Sequence, residues 1–182
     1  FSITARGRKE VLDRLEITLD GPDLKIGRKR EGFSFSSRDD DDVDIEITMP
    51  RLNAVRLTGS GTIDADSVDG DAVEAVVTGS GDLKVAKLTG KRADVIVSGS
   101  GDIEIAGGTI GSGELSVTGS GNIDADGLAS TTLEVSVTGS GNVDAQATGT
   151  ADISILGSGD VTLTGGANCS TRQMGSGTAT CK

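Results

Sequence analysis

From Leu52 onward, apolar and polar residues alternate with a period of two. The alternation is phased against a recurring tripeptide, Gly-Ser-Gly, which begins at Gly59, Gly79, Gly99, Gly119, Gly139, Gly157 and Gly175. Two residues before each of the first six copies stand Leu57, Val77, Val97, Val117, Val137 and Ile155, and four residues after it Ile63, Leu83, Ile103, Ile123, Val143 and Val161. Further apolar columns lie four before (Ala75, Val95, Leu115, Val135, Ile153) and six after (Ala65, Val85, Ile105, Ala125, Ala145, Leu163). Even offsets are apolar and odd offsets polar, which is the signature of strands with one buried face. One more apolar position, Val68, Leu88, Ile110 and Leu128, interrupts the polar connection and is read as a further core column.

Successive copies are 20, 20, 20, 20, 18 and 18 residues apart. A fixed period in this range marks a stacked repeat. Helical repeats are excluded by the period of two and by Gly inside every unit, which costs about 1 kcal/mol per residue in a helix. Short apolar strands separated by Gly corners predict an all-β fold, a single-stranded right-handed parallel β-helix of about seven rungs of 18–20 residues. The 18-residue rungs are expected to drop two residues from an outer loop after Ala145 and to spare the core columns.

Residues 1–50 read differently from 51–182. Val11, Leu12, Leu15, Ile17 and Leu19 form an apolar segment ending in the turn cluster Asp20-Gly21-Pro22-Asp23, and Leu24 and Ile26 open the next strand. Phe33 and Phe35 alternate with Ser34 and Ser36, and Val43, Ile45, Ile47 and Met49 alternate with Asp44, Glu46 and Thr48 before Pro50. Three or four strands are predicted, forming an N-terminal β cap integral to the solenoid of 51–182.

Composition adjusts this picture in three ways. Phe1, Phe33 and Phe35 are the only aromatic residues, so the core must be aliphatic. A net charge of −11 disfavours nucleic acid as a partner. No apolar run approaches the roughly 20 residues of a membrane helix, so membrane insertion is not expected.

The odd offsets stack into outward columns: Thr58, Thr78, Ser98, Thr118 and Thr138; Ser60, Ser80, Ser100, Ser120, Ser140 and Ser158; and Asp82, Asp102, Asn122, Asn142 and Asp160. Such ladders could bind saccharide, ice or calcium, but Ser, Asp and Asn are also ordinary corner residues that satisfy local backbone, and the latter is the favoured reading. For calcium, the run Asp39, Asp40, Asp41 and Asp42 is a weak candidate. Asp64, Asp66, Asp124 and Asp126 form a second acidic set, which Lys84 and Ala86 break in the intervening unit. No catalytic residues are expected: the chain has no His, its Ser residues lack a triad context, and its Gly spacing matches no phosphate loop. No cofactor is implied.

Cys169 and Cys181 lie six residues before and six after Gly175, both at inward offsets of the last rung. A straight strand would hold them roughly 40 Å apart, so a bond between them requires the chain to fold back at Gly175-Ser176-Gly177. A disulfide that closes the open end and places the protein in an oxidising compartment is expected over two small buried thiols.

The segment Ile47-Thr48-Met49-Pro50-Arg51-Leu52-Asn53-Ala54-Val55, followed by the Gly-Ser-Gly-Asp/Asn rungs, resembles a bacterial domain family of unknown function labelled putative autotransporter adhesin, head GIN domain. The resemblance covers nearly the whole chain. It implies an extracytoplasmic β-helix with adhesion proposed by analogy, and it carries over no catalytic residues. The expected function is therefore a non-catalytic structural or adhesin-like module of the cell envelope. Its expected partners are a cell surface, a glycan or a second copy of the chain.

Overall fold

The computed structural model describes residues 1–29 and 43–182. They form two compact units, Phe1–Pro50 and Arg51–Lys182. The predicted strand around Phe33 and Phe35, and the calcium candidates Asp39 to Asp42, lie outside the described residues.

In the first unit, β1 (Ser2–Gly7) pairs antiparallel with β4 (Val43–Thr48), and β2 (Leu15–Asp20) with β3 (Asp23–Arg28). The apolar segment expected from Val11 to Leu19 is split. Val11 and Leu12 belong to a single helical turn, α1 (Lys9–Leu12), and only the residues from Leu15 form a strand. Gly21, at φ 62°, occupies the first central position of the β2–β3 hairpin, where a II′ turn demands a positive φ. Register places Ile17 opposite Ile26 and Leu19 opposite Leu24, so the hairpin is apolar on one face.

The second unit is a parallel β-solenoid. Its long strands are β5 (Ala54–Gly59), β7 (Val68–Gly79), β9 (Leu88–Gly99), β11 (Gly108–Gly119), β12 (Ile123–Gly139), β13 (Val143–Gly157) and β15 (Asn168–Gly175). The short strands are β6 (Thr62–Ala65), β8 (Asp82–Val85), β10 (Asp102–Ile105), β14 (Val161–Thr164) and β16 (Ala179–Cys181), and the opening residues of β12 and β13 join their stack. Every neighbouring pair is parallel and in step with the Gly-Ser-Gly register: Gly59, Gly79, Gly99, Gly119, Gly139, Gly157 and Gly175 stand directly above one another. Seven copies enclose about six turns, one fewer than the expected rung count, because each turn runs from one corner to the next.

The predicted even-offset columns are the core. Val77, Val95, Leu115, Val137 and Leu83 have no measurable exposure. Burial of such side chains contributes about 1.5–3 kcal/mol each, and here each rests on the equivalent side chain one turn away.

The turn connection departs from the expectation. Leu88 pairs with Gly108, not Ile110, and Ile110 stands level with Gly90 and Ser130. Ile110 is nonetheless 2% exposed, because it moves into space left by small residues: a Cβ on Gly113 would lie 2.8 Å from both Ile110 Cδ1 and Leu133 Cδ2. The deletion in the 18-residue turns also takes more than an outer loop. Ala125 pairs with Ala145 and Ala129 with Gln146, so residues 126–128, including buried Leu128, have no counterpart in the next turn. One residue is regained before Thr132 meets Thr150. At this break the buried Ser130 hydroxyl donates to the Gln146 carbonyl, and Thr148 Oγ1 donates to the Ser130 carbonyl at 3.1 Å. The hydroxyls thus replace strand-to-strand bonds that the shifted register breaks.

The last turn closes the stack. Cys169 and Cys181 are bonded, with a Cα–Cα distance of 6.7 Å, joining β15 to β16 across the end of the core. Inward columns that are apolar elsewhere become polar here: Ile153 is followed by Thr171 and Ile155 by Gln173, whose side chain donates to the Gly177 carbonyl across the corner.

Candidate functional site

Each Gly-Ser-Gly is a corner between a long strand and a short one, and main-chain groups hold it. Ser80 N–H donates to the Gly59 carbonyl at 2.9 Å, and Ser100, Ser120, Ser140, Ser158 and Ser176 repeat the bond to Gly79, Gly99, Gly119, Gly139 and Gly157 at 2.8–2.9 Å. The first Gly sits at φ between 110° and 136°. The second carries a different constraint: a Cβ on Gly101 would stand 2.1 Å from the Gly81 carbonyl oxygen and 2.8 Å from Val77 Cγ1. Both glycines are therefore required by backbone geometry and by stacking, not by ligand contact.

Because the corner needs nothing from the Ser side chains, Ser60, Ser80, Ser100, Ser120, Ser140 and Ser158 stand exposed along one edge. Beside them, Thr58, Thr78, Ser98, Thr118 and Thr138 are paired rung to rung and equally exposed. The structure brings these two predicted columns together. It also ends the hydroxyl column early, since Thr138 is followed by Leu156, 52% exposed, and Met174, 72% exposed.

The Asp/Asn column does structural work in most of its members. Asp102 Oδ1 accepts from the backbone N–H and from Nδ2 of Asn122, both at 2.8 Å. Asn122 Oδ1 accepts in the same way from Asn142 at 3.1 Å, Asn142 Oδ1 from the Asp160 N–H at 3.1 Å, and Asp160 Oδ1 from the Thr178 N–H at 2.8 Å. Each side chain thus satisfies the first free amide of the strand one turn on. Asp82 stands level with Asp102 at the head of the column.

The second acidic set is scattered by the register. Asp64 stacks on Lys84, which pairs with Glu104 at 3.6 Å, and Glu104 stands level with Asp124. Ala86 and Ala106 leave a shallow depression of about 200 Å³ beside Asp64 and Asp66. Among the described residues, no three acidic, His or Cys side chains converge as metal ligands would.

One ladder was not anticipated. Glu74, Asp94, Glu114, Glu134 and Asp152 stand in register on the outer face of the long strands. Arg56 binds Glu74 through both nitrogens of its fork, Nε at 2.7 Å. Arg92 reaches Asp94 at 3.0 Å and Glu114 at 3.4 Å. The hydrogen bond and the charge of Asp94, with smaller contributions from Glu114 and Glu134, raise the Arg92 pKa above its ordinary value. The signal was present in the sequence as an acidic residue five positions before each Gly-Ser-Gly from the second copy to the sixth.

Several solved structures resemble this chain. A putative adhesin from Bacteroides fragilis is 22% identical with a TM-score of 0.83, over 99% of this chain and 82% of that one. A putative adhesin from Parabacteroides distasonis is 22% identical with a TM-score of 0.74, over 99% and 83%. A putative lipid binding protein from the same species is 24% identical with a TM-score of 0.71, over 99% and 83%. At these identities the likeness is one of fold. No curated protein matches the chain. The disulfide is characteristic of exported proteins, and among the described residues no helix is long and apolar enough to cross a membrane. The family model described as "Putative auto-transporter adhesin, head GIN domain" matches residues 1–167, and the chain belongs to that family.

Proposed function

We propose that this chain is a non-catalytic, adhesin-like structural module of the bacterial cell envelope, acting outside the cytoplasm. The observation that carries this reading is the division of labour among the outward ladders. Asp102, Asn122, Asn142 and Asp160 are committed to backbone amides, while the Ser and Thr columns lie exposed on the adjoining edge. A regular array of uncommitted hydroxyls, repeated roughly every 4.8 Å along a stacked sheet, suits many weak polar contacts to a repetitive surface such as a glycan. It does not suit a reaction, which needs groups with distinct environments converging on one point. The lipid-binding description of one structural neighbour gains no support from the interior here, whose inward columns are filled by aliphatic side chains.

Surface labelling of intact cells, combined with a glycan array probed with the purified chain, tests the proposal. Labelling from outside and glycan retention are expected, with retention lost on replacing Thr78, Ser98 and Thr118 by Lys while circular dichroism is unchanged. Confinement to the cytosol, or retention indifferent to that face, would refute it.

A further inference from the structure

We propose that the Cys169–Cys181 disulfide is a removable latch on the turn formed by β15 and β16, so that a thiol reductant releases β16 from β14 without unfolding the rest. Three observations support it. First, β16 is only three residues long, so its pairing with β14 spans three residue pairs. Second, the last turn buries little apolar surface, since Thr171 and Gln173 replace the buried Ile153 and Ile155 and are themselves exposed. Third, the bond lies within reach of solvent, with Cys181 exposed and Cys169 half-buried. Besides the disulfide, the segment is held by the parallel pairing of β16 with β14 over three residues, by Lys182 N–H to the Leu163 carbonyl at 2.9 Å, Gly166 N–H to the Lys182 carbonyl at 3.0 Å, Val161 N–H to the Thr178 carbonyl at 2.8 Å, the Thr178 amide to Asp160, and the Gln173 side chain to the Gly177 carbonyl. A short strand whose apolar contact with the core is limited to the partly buried Ala167, Cys169 and Ala179 belongs to the low end of local stability.

The chemistry is ordinary thiol–disulfide exchange. A thiolate of a dithiol reductant attacks the exposed Cys181 sulfur, the S–S bond breaks, and the electron pair leaves on Cys169, which takes up a proton. The second thiol of the reductant then displaces Cys181, giving two protein thiols and the oxidised, disulfide form of the reductant. Cys169 Sγ lies 3.7 Å from the Ala167 carbonyl, which can accept the new S–H. Once β16 departs, Val161 and Leu163, each 1% exposed in the closed state, become the solvent-facing edge. Oxidation therefore keeps a pairing-competent strand covered, and reduction uncovers it.

Amide hydrogen exchange on the whole chain, with and without dithiothreitol, tests the latch. On reduction, protection over residues 178–182 is expected to fall about a hundredfold, the loop-closure effect for a bridge of this span, while Val95, Val117 and Val137 keep theirs. The Cys181→Ser variant is expected to show the same local opening without reductant. Unchanged protection at 178–182, resistance of the bond to dithiothreitol under native conditions, or a loss of protection spread through every turn would each overturn the proposal.

Discussion

Asn122 gives both its backbone N–H and its side-chain Nδ2 to a single oxygen, Oδ1 of Asp102, at 2.8 Å each. Its own Oδ1 then receives the same pair of donors from Asn142. Asn suits this central position because it must donate below and accept above. Replacing Asn122 by Ala removes both side-chain roles: the Asn142 backbone N–H loses its acceptor and Asp102 Oδ1 loses the Nδ2 donor, while the residue-122 backbone N–H keeps its bond to Asp102. A loss of about 1–3 kcal/mol is expected, read by denaturant titration. Asn122→Asp keeps the acceptor, loses the donor and sets a carboxylate against Asp102. Its stability deficit at neutral pH is expected to shrink as the pH falls through the carboxylate range near 4, where protonation restores a donor.

The second glycine of the corner makes a sharper test, because it meets different surroundings in different turns. A Cβ on Gly61 meets only Leu57 Cδ1, at 3.9 Å, whereas one on Gly101 would overlap the Gly81 carbonyl oxygen at 2.1 Å. Gly61→Ala is expected to change stability by less than about 0.5 kcal/mol and Gly101→Ala to cost more than about 3 kcal/mol, since stacked backbone cannot retreat as a side chain could. Equal effects at the two sites, measured by chemical unfolding, would contradict the stacking explanation.

Ile110 and Gly113 form a compensating pair. Gly113→Ala brings a methyl to 2.8 Å from Ile110 Cδ1 and Leu133 Cδ2. A cost of about 1–3 kcal/mol is expected for the overpacking. Trimming the neighbour should relieve part of it, so Gly113→Ala combined with Ile110→Val is expected to cost less than the sum of the single changes. A double-mutant cycle gives the coupling directly.

Arg92 holds two rungs of the acidic ladder together through Asp94 and Glu114. Its raised pKa means that the charge on Arg92 itself is held throughout the range below the usual arginine values and is lost only above it. Salt is the informative variable. Arg92→Ala is expected to lower the melting temperature slightly at low ionic strength, by an amount that shrinks as salt rises.

The sheet faces, the corners and the pairing of the cysteines were legible in the sequence because a period of two and a fixed spacing leave few alternatives. Once Gly59 through Gly175 are stacked, parity alone sends Val77 inward and Thr78 outward. Parity says nothing about the role of an outward side chain. Asn122 and Ser120 look alike as polar corner residues, yet Asn122 is bonded along the stack and the Ser120 side chain stands exposed. The acidic ladder was visible as a recurring residue type, but the ion pairs that Arg56 and Arg92 make depend on rungs being neighbours in space while 18 and 22 residues apart in sequence.

What the sequence determined by itself is therefore the repeat, the buried columns and the place where a disulfide could close them, all consequences of local alternation and fixed spacing. The tertiary structure alone decided how irregular turns are accommodated. Ile110 fills the space beside Gly113, Ser130 and Thr148 bridge the register break, and Thr171 and Gln173 end the core. The physical reason is that packing and hydrogen-bond satisfaction are settled between adjacent turns, where a volume missing from one residue is supplied by a neighbour that no spacing rule identifies.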